Sequence, residues 1–253
     1  MTVPVMDVFQ REVGRGWLQA SLSVASSPKA ALLVVPPFFH EWQRCYRIFA
    51  LLADALARRD ITVLRFDYRG TGDSSGTDDD FLPSRALDDA DAALALLRER
   101  CPAPVTLLGI RAGALLAEQL AARRSLPWWT WQPVEDGACH LGELRERDRF
   151  ERNNRLRFPY LRGECADDPG VLMGHRLHPE FALELAIFRR GSAASWRLDT
   201  AAACGHDDLA LPTELTLWVE QVDLQGGPAL SSIGRIADAI ARRLAERTDG
   251  AAT

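Results

Sequence analysis

The sequence predicts an α/β fold, a mostly parallel sheet flanked by helices. Three observations carry that prediction. Short apolar, β-rich runs recur at "AALLVV", "ITVLRF", "VTLLGI" and "PWWTW"; stretches of helical apolar spacing separate them; the connections between the two are short. A strand buried on both faces reads as a continuous apolar run, and strands alternating with helices build βαβ units whose ligands sit at the carboxyl ends of the strands.

Taken in order, "GWLQASLSVAS" alternates apolar and polar positions as a half-exposed hairpin does, and "AALLVVPPFF" is the first buried strand. "YRIFALLADALARR" follows as a helix, with Ile48, Leu51, Leu52, Ala55 and Leu56 on one stripe. "ITVLRFDYRGTGDSSG" is a second buried strand running into a Gly/Asp/Ser loop, in which Gly70 and Gly72 permit a tight path and Asp73 and Ser74 brace it. "LDDADAALALLRER" is a second amphipathic helix, and "VTLLGI" with "AGALLAEQLAARR" repeats the unit. "PWWTWQPV" supplies a fourth core strand, whose alternation is read as setting Trp129 opposite Trp128 and Trp131. "TELTLWVE" supplies a fifth, and "IGRIADAIARRLAER" is the closing helix, with no evident last strand.

Between residues 135 and 197 the pattern changes. "LGELRERDRFERNNRLRFPYLRG" is dense in both charge signs and reads as a solvated helix laced by i to i+4 pairs, Arg145, Arg147, Arg149, Arg152, Arg155 and Arg157 among the acids. "GHRLHPEFALELAIFRR" reads as a helix opened by His178 and Pro179. The expected organisation is an α/β core of residues 1–134 and 198–253, with 135–197 inserted as a cap.

Composition excludes several function classes. A net charge of −5 and a pI near 5.6 argue against nucleic acid as a partner. The five cysteines, Cys45, Cys101, Cys139, Cys165 and Cys204, lack metal-ligand spacing, so neither a zinc site nor a disulfide framework is expected, and no cofactor is called for. No stretch reaches the roughly 18 apolar residues of a membrane span, and the first residues lack a leader's basic start and apolar run. A cytoplasmic location is the expectation.

The order of "PPFFHEW", "RFDYRGTGDSSG" and "GIRAG" after successive strands resembles an α/β-hydrolase fold. More narrowly, "PPF" with a nearby acid, "GDS", an arginine-bearing turn and "WQPV" resemble the hydrolase-like proteins of the bacterial exosortase A system, type 2, over about residues 30–183. That resemblance implies a cell-envelope or exopolysaccharide context. It also implies that Gly109 to Gly113 is the nucleophile elbow, the strained strand-to-helix turn that carries serine in GxSxG hydrolases. Here Arg111 stands at its apex, between Ile110 and Ala112. Arginine stays protonated and cannot be the nucleophile, and no histidine follows His206. Glu220 and Asp223 could hold the acid's place.

A guanidinium beside the amides of a helix N-terminus calls for an anion, either a ligand or an internal carboxylate such as Glu41 or Asp67. His40 and Glu41 are read as loop residues near the pocket mouth. His40 is a weak candidate for a base, and Glu41 a partner for Arg111 or Arg44 or a weak candidate for chemistry. Phe38, Phe39, Arg44, Tyr68, Trp131 and Gln132 are the expected pocket residues. "CGHDD", Cys204 to Asp208, reads as a surface loop rather than a Cys/His dyad. The function expected is non-hydrolytic binding of a small-molecule or acyl-type ligand, with Arg111 as anion anchor. The alternatives are an enzyme with reassigned groups, His40 or Glu41 aided by oxyanion amides, and a scaffold that meets a protein partner through the cap.

Overall fold

The computed structural model describes residues 5–155, 168–215 and 227–250. A hairpin, β1 (Val5–Val13) and β2 (Gly16–Val24), precedes β3 (Ala30–Val35), α1 (Phe39–Ala57), β4 (Ile61–Phe66), α2 (Pro83–Arg100), β5 (Val105–Ile110), α3 (Gly113–Arg124) and β6 (Trp128–Trp131). The chain then runs through α4 (Gly137–Arg155), a small hairpin of β7 (Val171–Leu172) and β8 (His175–Arg176), and α5 (Phe181–Ile187). It returns as β9 (Trp196–Asp199) and β10 (Leu209–Ala210), and α6 (Gly227–Gly250) closes it.

Among the described residues eight strands form one sheet in the order β1-β2-β4-β3-β5-β6-β9-β10. β1, β2 and β4 pair antiparallel, and every pairing from β4 through β3 to β10 is parallel. β3, β4 and β5 are buried at all six positions each, as their unbroken apolar runs require. Alternate side chains feed two cores. One packs Leu33, Leu107 and Trp128 against α2, α3, α4 and α5; the other packs Leu32, Leu108, Trp129 and Trp131 against α1 and α6.

The strand period of two corrects one reading. Trp129 and Trp131 share a face and Trp128 stands opposite, because residues two apart, not three, point the same way. A second correction adds a strand beside β6 that the periodicity does not announce. It is the four-residue "WRLD" of β9; of "TELTLWVE", Thr213–Leu215 form a 3-10 turn, and residues 216–220, on which the expected fifth strand falls, lie outside the described residues. Glu220, Asp223, Arg157 and Cys165 lie outside them too. A third correction moves His40 and Glu41 out of a loop: α1 starts at Phe39, with Glu41 in its first turn, where a carboxylate complements the helix dipole. A fourth shortens the helix expected from His178. It begins at Phe181, and His175 belongs to the β7-β8 hairpin.

Two glycines set the height of α3 over the sheet. A Cβ on Gly113 would lie 2.3 Å from the carbonyl oxygen of Val35 and 2.4 Å from that of Pro36; one on Gly109 would lie 2.5 Å from Ala114 Cα. Any side chain there would lift the helix start away from β3 and β5, and with it the turn between them.

Candidate functional site

Arg111 and Ala112 are the two residues between β5 and α3, and Arg111 has φ at +50°. Non-glycine residues rarely adopt that region, and surrounding bonds hold it there. The Arg111 amide donates to the Trp131 carbonyl at 3.0 Å, and its own carbonyl accepts from Ala114 at 3.0 Å and Val134 at 3.2 Å. Ile110, one residue earlier, is fully buried among the α1 and α6 side chains, and Ala112 is buried on the opposite side.

The guanidinium meets Glu41. Arg111 Nε donates to Glu41 Oε1 at 3.1 Å, and Nη1 donates to the Gln132 carbonyl at 3.3 Å. The carboxylate is almost wholly buried and the guanidinium mostly so, with side-chain exposures of 4% and 17%. The two charges come from residues 70 apart in sequence, and each sits at the amino end of a helix. An arginine beside α3's positive end is stabilised by an acid held in α1's first turn. Asp67, the other acid considered for Arg111, is engaged elsewhere: it accepts from Trp42 Nε1 at 2.7 Å and from the Asp73 amide at 3.1 Å, and burial pushes its carboxyl above the usual range.

Above this pair lies a depression of roughly 390 Å³ lined by nine residues, among them His40, Glu41, Arg111, His140, Leu144 and Phe150. His140 was not foreseen. It stands on the first turn of α4, 2% exposed, with Nε2 3.9 Å from Glu41 Oε2 and Nδ1 3.7 Å from Glu143 Oε2. Both ring nitrogens and Glu41 Oε2 are buried without a hydrogen-bond partner among the described residues. Buried polar atoms in folded proteins are nearly always satisfied, so three orphans converging on one depression mark a place built to meet something more. The sequence signal was present but weak: a histidine followed three residues later by an acid, within a charge-dense stretch.

His40 also borders the depression, and burial, opposed in part by Glu41, lowers its ring to about 4. It is therefore neutral at neutral pH. The other expected pocket residues do not line this depression. Tyr68 is core, its hydroxyl donating to the Pro36 carbonyl at 2.9 Å, and Phe38 and Phe39 pack edge-on against Phe81. Trp131 packs on Phe49 at the helix α1 side, and Gln132 contributes its carbonyl to Arg111. Arg44 does not pair with Glu41, and its Nη1 is buried without a partner among the described residues. The bracing of the loop after β4 runs through Ser74, which donates to the Asp67 carbonyl and accepts from the Gln19 amide. Cys204 and His206 form no dyad: the thiol donates to the Asp199 carbonyl, and His206 is fully exposed beside Asp207. Among the described residues no group of three metal-ligating side chains converges, and no helix is long and apolar enough to cross a membrane.

Comparison with known proteins agrees with this architecture. Residues 26–129 match the family model described as serine aminopeptidase, S33. A structure of a hydrolase from Agrobacterium vitis S4 superposes with a TM-score of 0.56 at 17% identity, covering 95% of this chain and 98% of that one. The chain has the α/β-hydrolase fold. An α/β serine hydrolase without a lid from Xanthomonas campestris matches at 22% identity over 51% of this chain, with a TM-score of 0.44. A serine hydrolase homologue from Coxiella burnetii matches at 18% over 50%, with a TM-score of 0.42. The chain spans only 61% and 62% of those two proteins. No curated protein matches it in sequence. In this α/β-hydrolase-fold chain, then, the depression at the carboxyl ends of β3 and β5 is where the fold's topology places a ligand.

Proposed function

We propose that this α/β-hydrolase-fold protein holds a small, largely apolar or acyl-type ligand in the depression above Arg111 and forms no covalent bond with it. One observation carries the reading: none of the nine residues lining the depression has a hydroxyl or a thiol. In this reading Arg111 occupies the fold's nucleophile elbow, and residues 135–197 form the cap, whose α4 side chains Leu144 and Phe150 supply the apolar wall. The anion that Arg111 holds is Glu41, so the ligand need not be anionic, which revises the role of Arg111 from anchor of the ligand to anchor of the pocket floor. The resemblance to exosortase-associated proteins supports a bacterial, cytoplasmic, envelope-related setting.

A second reading, chemistry without a covalent intermediate, is favoured by His140. Glu41, anchored by Arg111, sets Oε2 3.9 Å from His140 Nε2, and Glu143 Oε2 lies 3.7 Å from Nδ1, so the imidazole stands between two carboxylates beside the depression and is the candidate proton-transfer group of this reading. This reassigns the role considered for His40, whose lowered basicity suits it less.

Fluorophosphonate labelling tests the main reading. No serine should be labelled, and stoichiometric modification of one serine would overturn it. A thermal-shift screen of short fatty acids and their esters should find stabilisers of the protein, and Phe150→Asp, at an exposed wall position, should abolish those shifts while leaving the unliganded melting temperature unchanged.

A further inference from the structure

We propose that two copies of this chain join edge to edge through β1, antiparallel, with Phe9 on the twofold axis. β1 is nine residues long and ends the sheet; among the described residues no strand lies on its outer side. Its first residues carry three of the seven large hydrophobics that the described residues expose: Val5 at 62%, Met6 at 55% and Val8 at 54%. It contains no proline and no bulge, two of the devices that keep edge strands from pairing.

The direction of the backbone groups follows from the next strand. In β2, the Trp17 amide donates to Ser75 Oγ, the Gln19 amide to Ser74 Oγ, and the Gln19 carbonyl accepts from Asp67. Odd-numbered residues of β2 thus face away from β1, so its even-numbered residues face β1, where Leu18 pairs with Arg11, Ala20 with Phe9 and Leu22 with Asp7. Alternation along an antiparallel ladder then points the amides and carbonyls of Met6, Val8, Gln10 and Glu12 outward. A partner strand must pair even with even.

Charge selects among the registers that satisfy this. With Phe9 opposite Phe9 of the second copy, Asp7 faces Arg11 across both halves of the interface, Val5 faces Val13, and Val8 faces Gln10. Asp7 has no ion-pair partner within the chain among the described residues, whereas Arg11 is already held by Glu99 of α2 at 2.9 Å and so is pre-positioned. Shifting the axis to Val8 or Gln10 leaves Asp7 opposite Phe9 or Val13. Directly opposed opposite charges and paired aromatics stabilise a sheet, and the twofold axis makes the Asp7–Arg11 pair twice and the on-axis Phe9 pair once. The strand is complementary to itself.

Light scattering over a concentration series tests this. The expected mass at the upper end is twice the 28.0 kDa of the chain. Val8→Pro removes only an outward amide, which an edge strand tolerates, and should return the mass to that of one copy with unchanged circular dichroism. Asp7→Arg, which sets arginine against arginine, should raise the dissociation constant about tenfold or more. In the dimer, hydrogen exchange at the amides of Val8 and Gln10 should slow as concentration rises. A single-copy mass at every concentration overturns the proposal, as does a dimer that survives both substitutions or a mass that grows without limit.

Discussion

Removing the guanidinium of Arg111 should destabilise the protein before it affects anything bound. In Arg111→Met the apolar stem remains, but Glu41 Oε1 loses its 3.1 Å donor in a place where Oε2 already has none. Breaking a buried ion pair costs about 3–5 kcal/mol, and because solvent reaches part of Arg111 the lower end applies, about 3 kcal/mol. The strained backbone gives no relief, since methionine is no more at ease at a φ of +50°. For a chain of this size that loss corresponds to a fall of about 6–12 °C in melting temperature. Glu41→Gln should cost a similar amount by stranding the cation. In the double variant the charges disappear together, so the two effects should fail to add by about 2 kcal/mol. Urea unfolding of the four proteins measures the cycle. Additive losses, or single losses below about 0.5 kcal/mol, would refute the claim that this pair forms the floor of the site.

Arg111→Ser restores the spelling GxSxG but places no base beside the new hydroxyl in the manner of a triad, so hydrolysis of simple esters should stay at background; robust turnover would reveal a working base, with His140 the first suspect. Burial lowers His40 from 6.5 to about 4, so the unfolded chain takes up that proton first: stability present above pH 6.5 falls as pH drops toward 4 and then levels off, a loss of up to about 3 kcal/mol from this group. His40→Gln should flatten that limb of the unfolding profile. Gly113→Ala forces a methyl within 2.3 Å of the Val35 carbonyl, and calorimetry should show a loss of about 2–3 kcal/mol as α3 lifts; an unchanged melting temperature would mean that the helix start is free to move.

The sequence by itself determined the elements whose burial is uniform. β3, β4 and β5 are apolar at nearly every position because helices cover both faces, and α1, α2, α3 and α6 carry the matching stripes, so the parallel α/β layout and the arginine-bearing turn were legible without coordinates. Elements too short to show a period were not. β9 contributes only "WRLD" to the sheet, and it was the pairing with β6, not any local preference, that made it a strand. The start of α1 was lost for a related reason: Phe38 offers no side-chain cap, so nothing local announced that His40 and Glu41 were helical. The site lay further still from sequence reading. Glu41, Arg111 and His140 come from three elements 70 and 29 residues apart in the chain, and what joins them is the height at which Gly109 and Gly113 seat α3 and the path that returns α4 across the strand ends. Spacing in sequence holds no record of such approach. Only tertiary packing could decide that the arginine's anion was an internal glutamate, because burying a charge is tolerable only where the fold has already delivered its counter-charge.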